Sequence, residues 1–426
     1  MTYPRFRIKN VATLNNEVLH ETESPYTEIK YVEIGDVRFN EGIINKTDYT
    51  FETAPSRARR KVRNGDVIIS TVRTYLKAVA PVRNPEPNLI VSTGFAVVRP
   101  RFDILNPAFA GYFLQSEKKL GEIVSRSVGV SYPAINPEDI GNLEIFLPPL
   151  PIQKAIASFL DKETARIDAL IEKKERQIEL LQEKRQAIIT RAVTKGLNPN
   201  AKMKHSGVEW IGEIPEGWAI RKIKYLSIKI GSGKTPKGGA TVYQDSGVLL
   251  LRSQNIHFDG LKLDDVAYID HETDDEMSGT RVIPNDVLLN ITGASIGRSF
   301  FIPESFPCAN VNQHVCIIRP RQRMVITQYL WLSLCSDLIQ GAIWSGENGT
   351  SREGLTFEQI GNFSILVPIN SSEQKDIVKE LMQRLNAIDV TILKIRDSIS
   401  LLQENRSSLI TAAVSGQIEI PQEVVG

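Results

Sequence analysis

The sequence predicts an α+β chain in which two mixed α/β domains form a pseudo-two-fold tandem repeat, separated by two long antiparallel coiled-coil helices. Three observations carry this: self-similarity at a nearly constant offset, two long segments free of Pro and Gly, and strand-like runs confined to the rest. At 426 residues the chain exceeds the size at which one hydrophobic core keeps growing, so two cores are expected. With 42% hydrophobic and 24% charged residues, the composition is that of a chain that folds throughout.

The repeat is read directly from the residues. Asp66-Val67-Ile68-Ile69 returns as Asp286-Val287-Leu288-Leu289, an offset of 220 (286 − 66). Ala96-Val97-Val98-Arg99-Pro100 returns as Cys316-Ile317-Ile318-Arg319-Pro320, and Ile140-Gly141-Asn142 as Ile360-Gly361-Asn362, at the same offset. After one inserted residue the matches continue: Gln153-Lys154 with Gln374-Lys375, Ile167-Asp168 with Ile388-Asp389, and Leu180-Leu181-Gln182-Glu183 with Leu401-Leu402-Gln403-Glu404. Each copy is a mixed domain followed by a long helix. The expected division is 1–150, first domain; 151–196, first helix; 197–370, second domain; 371–416, second helix; and 417–426, a C-terminal tail.

In the mixed parts, short apolar runs bounded by Gly, Pro and Asn read as strands, as in Gly65-Asp66-Val67-Ile68-Ile69-Ser70 and Val248-Leu249-Leu250-Leu251. Shorter helical stretches are expected near 108–125 and 326–340. The segments 152–194 and 373–414 are dense in Glu, Lys, Arg, Gln, Leu and Ile and read as helices. The first carries an apolar stripe at Ile167, Ile171, Ile178, Leu181, Ile188 and Ala192, interrupted by Lys174 and Arg185. The second carries Ile388, Ile392, Ile395, Ile399, Leu402, Leu409 and Ala413, interrupted by Arg406. A helix of about 40 residues spans roughly 60 Å, too long for one domain to cover, so each stripe is expected to pack on the other. Connectivity makes the pair antiparallel, and the symmetric register is expected to set Lys174 beside Arg406.

Composition narrows the function classes. No run of about 18 apolar residues is present, so no membrane partner is expected, and the opening Met1-Thr2-Tyr3-Pro4-Arg5-Phe6-Arg7 leads us to expect a cytoplasmic protein. Three cysteines, Cys308, Cys316 and Cys335, read as reduced thiols. The net charge of +1 does not point to nucleic acid by itself. The densest positive run is Ser56-Arg57-Ala58-Arg59-Arg60-Lys61-Val62-Arg63, which suits phosphates but also suits a solvated face.

Motifs that carry catalysis are missing. Gly233-Lys234-Thr235 resembles a phosphate-binding loop, yet Ile228 stands where that loop needs a Gly. Cys308, His314, Cys316 and Cys335 have no paired-cysteine spacing for zinc. The Asn-Pro pairs at Asn84, Asn106, Asn136 and Asn198 do not continue into the loop that holds a flipped base in an adenine methyltransferase. Glu172-Lys173-Lys174 lies on the coiled coil, which argues against a nuclease centre. The chain is expected to be non-catalytic.

Taken over nearly its whole length, the chain resembles the specificity subunits of Type I restriction-modification enzymes. The stretch Ser206-Gly207-Val208-Glu209-Trp210-Ile211-Gly212-Glu213-Ile214-Pro215-Glu216-Gly217-Trp218 looks like that family's entry to a recognition domain, followed by Ile223-Lys224-Tyr225-Leu226 and Gly231-Ser232-Gly233-Lys234-Thr235-Pro236. The closings Ile140-Gly141-Asn142-Leu143-Glu144-Ile145-Phe146-Leu147-Pro148-Pro149-Leu150 and Ile360-Gly361-Asn362-Phe363-Ser364-Ile365-Leu366-Val367-Pro368 are similar to the family's as well. The first half departs by starting at Tyr3-Pro4-Arg5-Phe6 without the Ser-Gly-Val-Glu-Trp block. The resemblance implies two target recognition domains, each reading half of a bipartite, asymmetric site on double-stranded DNA, with spacer helices setting the gap. It also implies two modification (methyltransferase) subunits bringing S-adenosylmethionine and restriction motor-nuclease subunits using ATP and Mg, this chain binding no cofactor or metal.

Candidate DNA contacts are side chains able to read base edges or hold phosphates. In the first domain they are Arg57, Arg59, Arg60, Lys61, Thr71, Arg73, Tyr75 and Lys77, with Ser127, Ser131 and Tyr132 from a Gly-containing loop. In the second they are Arg252, Gln254, Asn255, Thr292, Ser295 and Arg298, with Thr350, Ser351 and Arg352. The competing class is a coiled-coil scaffold whose mixed domains bind protein, motivated by the near-zero net charge.

Overall fold

A computed structural model describes residues 3–347 and 354–418. The chain forms two compact units, Met1–Lys174 with Asp397–Gly426, and Glu175–Arg396. Each unit holds one mixed domain and part of both long helices.

Unit one is built on two four-stranded sheets. One has the order Thr47–Thr50, Glu28–Val32, Leu89–Ser92, Ala58–Lys61, its central pair parallel. The other, Ala12–Leu14, Phe95–Pro100, Val67–Ser70, Val79–Pro81, is antiparallel throughout. Every residue of Val67–Ser70 is buried because the strand faces cores on both sides. Val67 and Ile69 pack with Phe109 and Phe113 of the helix Pro107–Gln115, and Ile68 packs with Val32 and Val91 of the neighbouring sheet. An apolar run without alternation is the pattern such a strand requires.

Unit two repeats this order. Ala267–Ile269, Val248–Leu251, Ala309–Val311 and Arg281–Val282 form one sheet, and Ser227–Ser232, Val315–Pro320, Val287–Asn290 and Ser299–Phe301 the other. Val287 and Leu289 join the helix-side core with Tyr329 and Leu330, while Leu288 joins Leu251 and Val311. The expected short helices are Pro107–Gln115, Glu117–Ser125, Thr327–Cys335 and Asp337–Glu347.

The start of the first domain also follows the repeat. Arg5–Arg7 pairs with Glu144–Phe146, and Trp218–Lys222 pairs with Ser364–Pro368. Ile8-Lys9 therefore stands where the second copy has Ile223-Lys224, an offset of 215 (223 − 8) that the missing Ser-Gly-Val-Glu-Trp block obscures.

Two polar pairs recur because each holds a joint. The buried Gln153 amide accepts from Asn106 N at 2.8 Å and donates to Ile104 O and Pro148 O. Gln374 does the same with Ile326 N, Met324 O and Pro368 O. Each ties the opening of a long helix to the domain before it. Asp66, 1% exposed, takes a two-pronged bond from Arg99 at 2.8 Å, and Asp286, 0% exposed, one from Arg319 at 2.7 and 2.8 Å.

The long helices are Leu150–Lys195, 46 residues, and Ser371–Val414, 44 residues. Of the stripe, Ile167, Ile388 and Ile392 are buried, and Ile171, Ile178, Leu181, Ile188, Ile395, Ile399, Leu402 and Leu409 are half-buried. Within unit one, Asp168 meets Arg406, and Ile156 and Leu160 share a core with Ile410, Ala413 and Val414. Within unit two, Arg185 meets Asp389, and Ile189 and Val193 share a core with Ile377, Leu381 and Leu385. As one helix number falls the other rises, so the pairing in each unit is antiparallel. Arg406 does not face Lys174. Its Nε donates to Asp168 Oδ1 at 2.8 Å, because a guanidinium only 12% exposed needs an acceptor. The repeat equivalent is Arg185 with Asp389, 3.3 Å apart.

Candidate nucleic-acid interface

In unit one the strand Val67–Ser70 leaves the core at Thr71, and three loops are fastened there by backbone bonds. Thr71 N donates to Gly94 O at 2.8 Å, Ile135 N donates to Thr71 O at 2.9 Å, and Thr93 N donates to Arg57 O at 2.8 Å. A short turn, Thr74–Leu76, follows, flanked by Arg73 and Lys77, both in the left-handed region at φ 49° and 52°. Cations held in that conformation carry backbone strain of a kind concentrated at functional sites. Arg73 lies over the Tyr132 ring at 4.9 Å, Lys77 lies over Phe39 at 5.6 Å, and Tyr75 is exposed. Thr74 Oγ1 donates to Ser127 Oγ at 2.7 Å, which binds the turn to the 127–134 loop.

Unit two presents the same frame. Ile291 N donates to His314 O at 3.0 Å, and Leu355 N donates to Ile291 O at 2.8 Å, the counterparts of the Thr71 bonds 220 residues earlier. On this frame Gln313 Nε2 lies 2.9 Å from His314 Nε2, and His314 Nδ1 lies 2.7 Å from Thr292 Oγ1. The loop around Gly233 closes over the strand end: a Cβ there would fall 1.7 Å from Val311 O. Close backbone approach explains this glycine, and it leaves Lys234 exposed beside the frame.

Charge separates locally although the chain balances 51 basic against 50 acidic residues. In unit one the segments 54–61, 71–78, 92–95 and 126–136 contain seven Lys or Arg and no Asp or Glu. In unit two the segments 231–238, 252–255, 290–298 and 311–316 contain four and none. Of these cations, Lys61, Arg126, Lys237 and Arg252 pair with Glu23, Glu122, Glu276 and Asp265 from outside the segments, while Arg57, Arg73, Lys77 and Lys234 are exposed.

Comparison with known proteins decides the family. Residues 3–180 and 215–400 match the family model described as the Type I restriction modification DNA specificity domain. The chain belongs to this family. Relatives include the Type I restriction enzyme MjaVIII specificity subunit of Methanocaldococcus jannaschii, 23% identical over 334 residues, covering 78% of this chain and 75% of that protein. The Type I restriction enzyme EcoKI specificity subunit of Escherichia coli (strain K12) is 21% identical over 426 residues, covering 96% and 88%. A chain solved in work on complex assembly and conformational transition of the type I R-M system shares the fold, with TM-score 0.72, 21% identity and 97% of both chains covered. The protein is a specificity subunit of the Type I class, whose matched domain is described as a DNA specificity domain.

The specificity subunit's expected contacts divide once placed. Arg57, Arg73, Tyr75, Lys77, Ser131 and Tyr132 are exposed around one frame, and Thr292 joins the other. Thr71 is a fastener, because it is buried and its Oγ1 donates to Gly94 O at 2.9 Å. Ser127 likewise donates to Ile123 O at 2.9 Å. The basic run is largely engaged on its own strand. Arg59 lies over Phe51 at 4.7 Å, Lys61 pairs with Glu23 at 3.3 Å, and burial pulls the Arg60 pKa down.

In the second domain, Asn255 is buried, its amide donating to Lys262 O and Asp265 O, so it shapes a loop and does not face outward. Arg252 and Gln254 both bond Asp265, at 2.9 Å to its carbonyl and 2.6 Å to its carboxylate. Ser295 closes the turn Gly293–Ser295 and is half-buried. Arg298 lines a cavity with Gln182, Arg185 and Asp389, beside the long helices and apart from the Thr292–His314 group. Thr350, Ser351 and Arg352 lie outside the described residues.

Gln313, His314 and Lys234 were not among the expected contacts. The repeat offset could have found the first two, since it maps Thr93-Gly94 onto Gln313-His314, a difference inside a frame that both copies share. Cys316 and Cys335 are buried, and burial pushes both thiols up to about 12. No helix among the described residues is long and apolar enough to cross a membrane.

Proposed function

We propose that this specificity subunit reads a bipartite, asymmetric site on double-stranded DNA, one half-site per domain, and docks two modification subunits whose methyl transfer it directs. The supporting observation is a shared frame carrying unlike side chains. Where domain one has Val72, Arg73, Thr93 and Gly94, domain two has Thr292, Gly293, Gln313 and His314. A common frame brings both domains to a duplex in the same way. Unlike side chains then ask for different base edges: Gln313 suits adenine, while Thr93 in its place can serve more than one base. Methyl transfer with S-adenosylmethionine belongs to the modification subunits, and ATP and Mg to the restriction subunits. The long helices set the number of unread base pairs.

A complex of this chain with its modification subunits, offered a pool of random duplexes, is expected to enrich two unlike half-sites at one fixed gap. Replacing Gln313→Ala together with His314→Ala relaxes one half-site, by about 1–3 kcal/mol per lost base contact, and leaves the other unchanged. Enrichment of one continuous sequence, or equal loss at both half-sites in the variant, contradicts the reading. Enrichment of nothing favours the scaffold whose mixed domains bind protein.

A further inference from the structure

The loop 128–133 in domain one has a composition and an exposure that phosphate contact does not explain. Val128 is 81% exposed, Val130 102% and Tyr132 66%, so three apolar side chains stand in solvent at one tip. They are not slack. Val128 and Ala134 exchange both backbone bonds at 2.9 Å, closing the loop into a tight hairpin end. Gly129 makes the turn at φ +117°, where a Cβ would meet Tyr132 O at 3.1 Å. Arg73 stacks on the Tyr132 ring at 4.9 Å, and the Thr74 to Ser127 bond anchors the base of the hairpin.

We propose that the Val128–Tyr132 tip is a wedge that enters a groove at the first half-site and partly unstacks one base step, with Arg73 and Lys77 on the flanking phosphates. The proposal rests on the reading of domain one as a DNA reader. Its occupant is set by charge. Arg73 and Lys77 are exposed beside the tip, and the segments 71–78, 92–95 and 126–136 contain no Asp or Glu, which suits a duplex and opposes an acid-bearing protein surface. Bases offer the one apolar surface inside a polyanion, and aliphatic side chains inserted between steps are a general means of kinking a duplex. A tip fastened at its base before contact has less freedom to lose on entry than an open loop. The wedge then selects sequence without a hydrogen bond, because pyrimidine–purine steps yield most easily.

The test uses the full chain assembled with its modification subunits and duplexes carrying the enriched site, with 2-aminopurine moved through the first half-site. Besides any base the modification subunits extrude, one step brightens with the natural chain. With Val128→Ser and Val130→Ser that step returns to its stacked intensity, binding weakens about tenfold, and the salt slope stays the same because the cations remain. Arg73→Ala with Lys77→Ala gives the complementary result, a slope reduced by about two. A bright step that persists in the valine variant, or no such step with the natural chain, overturns the wedge while leaving recognition intact. A natural complex that binds no duplex above background overturns both.

Discussion

Two buried carboxylates at repeat-equivalent positions, Asp66 and Asp286, show how single residues hold this architecture. Each sits under a sheet with a two-pronged arginine, and each also accepts a backbone N–H, from Arg63 at 2.8 Å or Ile283 at 2.9 Å. A carboxylate buried this deeply is tolerable only while those donors are present. Arg319→Met keeps the stem and removes the charge, so domain two is expected to lose about 3–5 kcal/mol, read as a lower melting temperature. The double variant Arg319→Met with Asp286→Leu should recover much of that loss. An Arg319→Met protein that melts like the natural chain would show that the pair contributes nothing. The pairing is legible in sequence only as a repeated Asp and a repeated Arg, since neither spacing nor composition says that residues 33 apart (99 − 66) will face each other.

At the scale of elements, the long helices were legible because periodicity is a local property. Their register was not, because it depends on which charge finds a partner across the seam, and Asp168 won Arg406. The loops that form each frame were legible as loops, but their convergence was not: Thr71, Gly94 and Ile135 meet through backbone bonds that side-chain identity does not encode. The ruler role of the helices is testable with insertions that respect the packing. Gln186 donates to Cys335 O at 2.6 Å and Thr190 bonds Asp337, so an insertion after Thr190 would disturb the docking of the helix on domain two. Four residues after Lys174 and four after Arg396 leave the contacts internal to each unit in place. Each insertion lengthens its helix by about 6 Å, close to two base-pair rises, and turns it slightly more than once. The expected outcome, read by methylation mapping, is a gap about two base pairs wider with both half-sites kept. Altered half-sites at an unchanged gap would remove the ruler role.

At the scale of the molecule, duplication was the most legible feature, since offsets of 220 and 221 run through both domains and both helices. The same duplication explains how recognition can be asymmetric: the frame is inherited twice, while Val72 against Thr292 and Gly94 against His314 are free to differ. What each pair reads stays illegible in sequence, because base choice depends on side-chain geometry at loop ends. The most direct measurement is methylome sequencing of a host that carries this chain with its modification subunits, beside the same host lacking the chain. The account predicts one new methylated motif of two unlike half-sites at a fixed gap. A continuous motif, two identical half-sites, or a methylome unchanged by the chain would contradict it.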